Sequence, residues 1–208
     1  MNLYTLFQAC LNAPYKKVGQ SANYAVIKNG KDLYIFFEGS DGQIDWKNNL
    51  DFPAKAYKRN CKTIWRAHRG FLRVWKEIEP YIASIIADRT IKNITIAGYS
   101  HGGAIAVLCH EYVWFNRPDI RENLFGYGFG APRVFWGLYK KQLSKRWENF
   151  TVVKNINDLV TRLPPVVLGY RHVGTLLQIG VKGKYSDISA HLSSNILTEL
   201  KEYEKNKK

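Results

Sequence analysis

The sequence has no run of 18 consecutive apolar residues, so no transmembrane helix is expected. Its three cysteines, Cys10, Cys61 and Cys109, are odd in number and far apart, without a CxxC pair. That scatter argues against a disulfide framework and against a zinc site, and it suits folding in a reducing compartment. Acidic side chains are scarce: 17 Asp and Glu stand against 31 Lys and Arg, a formal net charge of +14. The first residues, "MNLYTLFQACLNAPYKK", place no basic residue ahead of a long apolar run, which is not the pattern of a secretory signal. The expectation is a cytoplasmic chain, or one released without a signal peptide. There is no P-loop, and Gly126-x-Gly128-x-Gly130 lacks dinucleotide spacing, so neither cofactor nor metal is expected. The basic residues are spread throughout, with no RRM, helix-turn-helix or zinc motif, so nucleic acid is not an expected partner. The charge still favours some anionic partner, such as an acidic membrane surface.

What is present is an ordinary globular composition, 46% hydrophobic over 208 residues, enough for one domain spanning 1–208 with a sizeable core. "YAVIKNGKDLYIFFEGS" is two β-rich runs around Asn29-Gly30, the strongest short hairpin signal. From Phe71 to Ala87, apolar residues recur at helical spacing, with an irregularity expected at Pro80. "IKNITIAG" reads as a β-branched strand that runs straight into "YSHGGAIAVLCHEYVWF", a small and apolar, buried helix. "LFGYGFGAP" and "FTVVKNI" read as further strands, "WGLYKKQLSKRW" as amphipathic and basic, and "RHVGTLLQIGVKGKY" as a strand or hairpin. The last segment, "SAHLSSNILTELKEYEK", reads as a helix. Strands alternating with helices predict an α/β fold with a mostly parallel central sheet flanked by helices, after an N-terminal hairpin.

The stretch "AGYSHGGA", residues 97–104, carries the chemistry. Gly98-x-Ser100-x-Gly102 lies between a strand and a helix, the setting of a nucleophile elbow. Glycines suit a turn this sharp because β-carbons would strike the neighbouring strand and helix. A helix N-terminus behind Ser100 favours the negative charge that develops in acyl transfer. His101 is a poor candidate for the base, since adjacent residues on an elbow project in different directions. The residue after the nucleophile instead offers its backbone N–H to an oxyanion.

Several ordered segments together resemble the class 3 lipase family, the fungal-type triacylglycerol lipases and their relatives among the α/β-hydrolases. These are "IFFEGSDGQIDWKNNLDF", "AHRGFLRVW", "GYSHGGAIA", "FGAPRV", "NDLVTRLPP" and "YRHVG". The resemblance extends over about 160 residues, from the hairpin near Tyr24 to the helix after His191. It implies an α/β-hydrolase fold and hydrolysis of carboxylic esters of acylglycerols or similar lipids through an acyl-enzyme. A phospholipase or a soluble carboxylesterase using the same residues is the alternative. The sequence departs from the family pattern at Glu38, where arginine is usual, and at Tyr99 and His101, where His and Leu are frequent.

In α/β-hydrolases the order is Ser, then Asp or Glu, then His. The acids after Ser100 include Asp119, Glu122, Asp158 and Asp187. Asp158 directly follows the strand "FTVVKNIN", at the end of the sheet where such sites gather, and it occupies the family's acid position. Of the two later histidines, His172 starts an apolar run and matches a structural HVG, whereas His191 lies on the loop before the last helix. The expected triad is Ser100, Asp158 and His191. The resemblance further implies an oxyanion hole from the amides of Ser40 and His101, with no metal. Residues 41–69, where the family carries its lid, hold seven Lys or Arg against three Asp, with Trp46, Phe52, Tyr57 and Trp65 interspersed. That pattern suits the edge of an anionic lipid interface, beside the lipid or ester substrate itself.

Overall fold

The protein is described from a computed structural model covering residues 1–19, 22–39, 51–59, 62–138 and 141–207. In chain order, helix α1 (Leu3–Leu11) precedes strands β1 (Lys16–Val18), β2 (Ala22–Asn29) and β3 (Asp32–Phe37). Strands β4 (Ala54–Arg59) and β5 (Lys62–His68) lead into helix α2 (Arg69–Ile86), strand β6 (Asn93–Tyr99) and helix α3 (His101–Asn116). Strands β7 (Leu124–Phe129) and β8 (Phe135–Trp136), a short helix α4 (Lys141–Ser144) and strand β9 (Phe150–Asn155) come next. Strands β10 (Tyr170–Arg171) and β11 (Thr175–Ile179) and helix α5 (Ser193–Lys205) complete the described chain.

A seven-stranded sheet has the order β1-β2-β3-β6-β7-β9-β11. The β2–β3 hairpin pairs Asn29 with Asp32, and Gly30 takes the positive φ of +58° that its tight turn requires. From β3 through β11 every neighbouring pair is parallel. These strands are covered on both faces, as parallel strands usually are. Ile35, Phe37, Ile94 and Ile96 pack with Ile78 and Ile82 of α2 and Ile105 and Leu108 of α3. Phe36, Ala97, Phe129 and Val153 point the other way, onto Leu6 and Phe7 of α1 and Ile196 and Leu200 of α5. The period-two alternation along each strand thus feeds two separate cores. Each fully buried side chain of this size contributes about 1.5–3 kcal/mol.

Helix α3 is apolar nearly all round and buried along almost its whole length, the expected fate of a helix without a polar face. Its buried Glu111 is paired with Arg146. Helix α2 continues through Pro80 without the expected interruption. Pro80 sits on the exposed side, while Val74, Trp75, Ile78 and Ile82 hold the opposite side in the core. In the basic segment "WGLYKKQLSKRW" the described residues hold the end of β8 at Trp136, then α4 and a 3-10 turn at Lys145–Trp147, with Trp147 fully buried.

A second, four-stranded antiparallel sheet has the order β10-β8-β5-β4. It absorbs much of the segment expected to be lid-like. Its strands β4 and β5 pair antiparallel, and their Tyr57 and Trp65 are core residues, Trp65 stacking on Phe135 and meeting the edge of Trp147. "RHVGTLLQIGVKGKY" divides between the two sheets, β10 pairing with β8 and β11 with β9, and so forms no hairpin. Among the described residues no helix is long and apolar enough to cross a membrane.

Candidate active site

The parallel strands β6, β7 and β9 end on one side of the sheet, and the site is built from the turns and loops that leave them. Strand β6 runs into Ser100, the only non-glycine residue with positive φ (+52°) among those described. A backbone held there costs on the order of 1–3 kcal/mol. The surrounding packing imposes it: a β-carbon on Gly98 would lie 2.1 Å from the Gly102 carbonyl oxygen, and one on Gly102 would lie 2.2 Å from that of Phe37. Ser100 donates its amide to the Phe129 carbonyl at 2.8 Å, which ties the elbow to the end of β7. Helix α3 starts at the next residue, so the site sits at a helix N-terminus, where developing negative charge is favoured.

After β9, the Asn155 carbonyl accepts the Asp158 amide at 2.9 Å, closing the turn that aims the carboxylate. Asp158 is fully buried; its Oδ1 accepts the Val160 amide at 2.9 Å, and its Oδ2 lies 2.9 Å from His191 Nδ1. His191 Nε2 is 2.8 Å from Ser100 Oγ. A carboxylate only accepts, so Nδ1 carries the proton and Nε2 is left to accept from the serine hydroxyl. His191 is held in turn by its loop, since Asn155 Nδ2 donates to the Ala190 carbonyl at 3.0 Å. Gly130, with φ +59°, closes the floor: a β-carbon there would come within 3.0 Å of the His191 ring and 3.1 Å of Asp158 Oδ2.

The other sequence candidates lie elsewhere. Asp119 is bound by Arg117 and Arg89, and Asp187 is exposed beside Arg162. Glu122 lines a surface cavity of about 440 Å³ with His110 and Lys145. The His172 ring donates to the Thr161 carbonyl at 2.8 Å, and His68 caps the start of α2 by accepting the Phe71 amide. The buried His101 ring meets Phe71 edge-on at 5.3 Å, as expected of a residue that would act through its amide. Ser40, Trp46 and the rest of residues 40–50 lie outside the described residues.

One neighbour escaped the sequence reading. The Tyr99 ring stacks on His191, with centroids 5.2 Å apart, and its hydroxyl donates to the His191 carbonyl at 2.7 Å. Phe7 of α1 buttresses that ring edge-on at 5.6 Å, so the N-terminal helix supports the site from beneath. Burial, followed by the nearby Asp158 charge, pushes the Tyr99 phenol up to about 12, keeping it a neutral donor. The one available signal was its place directly before Ser100, where the sequence departs from the family's frequent residue.

Comparison with known proteins places this geometry in a lineage. The family model for lipase (class 3) matches residues 34–168. The chain belongs to the class 3 lipase family. Among curated relatives, a Fusarium solani protein named as a secreted mono- and diacylglycerol lipase is 28% identical over 162 residues, 75% of this chain and 46% of the relative. A Malassezia restricta protein, also named as a secreted mono- and diacylglycerol lipase, is 31% identical over 51% of this chain and 35% of its own length. An Arabidopsis thaliana protein named as a chloroplastic phospholipase A(1) is 24% identical over 68% of this chain and 35% of its own. The aligned part is thus less than half of each of these relatives. Among solved structures, a fungal lipase–inhibitor complex superposes with a TM-score of 0.72 at 22% identity, covering 88% of this chain and 80% of that one. The Rhizomucor miehei triacylglyceride lipase gives 0.62 at 24%, over 79% and 66%. Both carry the same α/β-hydrolase fold.

These relatives correct one expectation. The expectation was a cytoplasmic chain, or one released without a signal peptide, but the Fusarium and Malassezia lipases are named as secreted. An N-terminal reading weighs only one short stretch; here that stretch, Leu3–Leu11, is a helix packed in the fold.

Proposed function

We propose that this class 3 lipase-family chain, acting as one domain, is a serine hydrolase of lipid carboxylic esters, acylglycerols first among them. The observation that carries the reading is the unbroken line of hydrogen bonds from Asp158 through His191 to Ser100, 2.9 and 2.8 Å long. In this mechanism His191 Nε2 takes the Ser100 proton as Oγ attacks the ester carbonyl carbon. The oxyanion that forms is assigned to the amide of His101, at the N-terminus of α3, together with the Ser40 amide that the family resemblance implies. Asp158 holds the imidazole in the productive tautomer and stabilises the imidazolium. His191 then gives its proton to the departing alkoxide, leaving an acyl-enzyme. Water, deprotonated by the same histidine, attacks that ester and releases the acid.

A phospholipase reading uses the same residues, and the Arabidopsis relative's name favours keeping it. We further propose contact with an anionic lipid surface, supported by the +14 charge and the cation-rich residues 41–69. The test is a side-by-side assay on monoolein, tributyrin, phosphatidylglycerol and p-nitrophenyl butyrate. Hydrolysis of the glycerides and the small ester, abolished in Ser100→Ala, is the expected result. Turnover of phosphatidylglycerol alone would select the phospholipase reading, and turnover of none would refute the enzyme.

A further inference from the structure

Away from Ser100, Asp158 and His191, several exposed apolar side chains gather where β8 meets β10. Val167 is 91% exposed and Leu138 81%, with Val166, Leu168 and Trp136 also open to solvent. They form one unit. Trp136 Nε1 donates to the Leu168 carbonyl at 2.9 Å, and the Gly137 amide to that of Gly169 at 3.0 Å. A 3-10 turn at Val166–Leu168, ended by Gly169 at φ +87°, lifts Val167 clear of the surface. These side chains stand in water at a free-energy cost, and nothing in the described fold buries them. A contiguous apolar patch of this kind marks a contact surface.

Cations surround it. The Arg66 guanidinium lies 5.1 Å from the Trp136 ring centre, and Arg171 donates to the Val166 carbonyl at 3.1 Å. Arg133 donates to the carbonyls of Arg162 and Pro164, holding the chain that leads into the turn. Among the described residues no carboxylate pairs with Arg66, Arg133 or Arg171. Two acids are nearby: Asp187 lies 4.0 Å from Arg162, and Asp51 is taken by Arg69 and Arg73. Lys154, half-buried, is pushed below its usual range by burial first and then by Arg162 and Arg133, with Asp158 opposing.

The patch is also continuous with the site. Arg162 ends the turn that begins two residues after Asp158, and its partner Asp187 precedes Ile188, which is 77% exposed three residues from His191. The geometry points to a docking surface for an anionic lipid bilayer, in which Val167 and Leu138 enter the acyl region and Arg66, Arg133 and Arg171 meet headgroup phosphates. An apolar tip with a guanidinium rim matches such a surface in both its layers. This rests on the lipid-hydrolase reading above, and it assigns the contact to the β8–β10 edge.

The test measures binding rather than turnover. The full chain carrying Ser100→Ala is titrated with phosphatidylcholine vesicles, with and without about 30% phosphatidylglycerol. The expected result is tight binding to the anionic vesicles only, weakening as salt rises. Val167→Asp with Leu138→Asp lowers it by about tenfold or more, and Arg66→Gln with Arg171→Gln lowers it comparably on anionic vesicles. A thermal transition like the parent's shows that each variant folds, and Val167 and Leu138 are open enough to accept the change. Loss of binding supports the surface whether or not the parent hydrolyses esters. Equal binding to both vesicle types, or binding that neither pair of substitutions alters, overturns it. Retention on single-stranded DNA without vesicle binding also overturns it, and gives the basic rim to nucleic acid.

Discussion

The ring of Tyr99 lies on the imidazole of His191 with 21° between their planes, while its hydroxyl holds the His191 carbonyl at 2.7 Å. His191 is therefore held by the residue that precedes Ser100, 92 positions earlier in the chain. A hydrogen bond of this kind is worth about 0.5–1.5 kcal/mol, or roughly two- to tenfold in a rate. Tyr99→Phe should lower kcat on p-nitrophenyl butyrate by that factor and leave KM unchanged. Tyr99→Leu, which also removes the stacked face, should lower kcat further and shift the acidic limb of the pH profile. A change in melting temperature with kcat and the pH profile untouched would mean that Tyr99 only packs.

Asp158 is buried, and its carboxylate accepts from His191 Nδ1 and from the Val160 amide of its own turn. In Asp158→Asn the side-chain nitrogen can donate to Nδ1, which turns the imidazole to the tautomer that cannot accept from Ser100. The loss expected in kcat is on the order of 10⁴, as in other Ser-His-Asp sites. Steady-state kinetics, with a thermal melt to confirm folding, checks it; a loss below tenfold would leave the acid unassigned.

The elbow glycines should divide sharply from an ordinary turn glycine. An alanine at Gly102 would set its β-carbon 2.2 Å from a backbone oxygen, which nothing flexible can relieve. We expect Gly102→Ala to cost about 3 kcal/mol or more. Gly183 has φ +82° but open space around it, so Gly183→Ala should cost only about 1–2 kcal/mol. Urea denaturation of the two variants reads the difference.

Stability should fall in mild acid. Burial pushes His110 down to about 3 and His172 to about 4, against an ordinary value near 6.5. Between pH 6.5 and about 4 the unfolded chain binds protons at these two positions that the folded chain does not. Stability then rises with pH across that window, by up to about 1.4 kcal/mol per pH unit for each histidine. Urea titrations at several pH values test this, and His172→Gln should flatten the slope, whatever it does to stability at neutral pH.

Much of the fold was legible because local signals agreed. Asn29-Gly30 marked the hairpin, and the β-branched run before Gly98 followed by small residues marked strand, elbow and buried helix. Chain order, strand ends and the family resemblance together point to Asp158 and His191, which the structure sets in line with Ser100. The two antiparallel strands at 54–59 and 62–68 were hidden, because Tyr57 and Trp65 among lysines suggested a lipid-facing edge; only the packing of Trp65 on Phe135 and against the edge of Trp147, with Tyr57 beside it, shows them to be core. Helix α1 is nine residues long, too short for its period to stand out, and its value lies in Phe7 reaching Tyr99. The contact of Tyr99 with His191 joins residues 92 apart, a relation that no local pattern records.

The central claim is that Ser100 is the nucleophile, and covalent labelling addresses it without any assumption about the natural ester. The intact protein treated with a fluorophosphonate and mapped by mass spectrometry should carry one label, on Ser100, formed far more slowly in His191→Ala and absent in Ser100→Ala. A label on another residue, or one that persists in Ser100→Ala, would contradict the account.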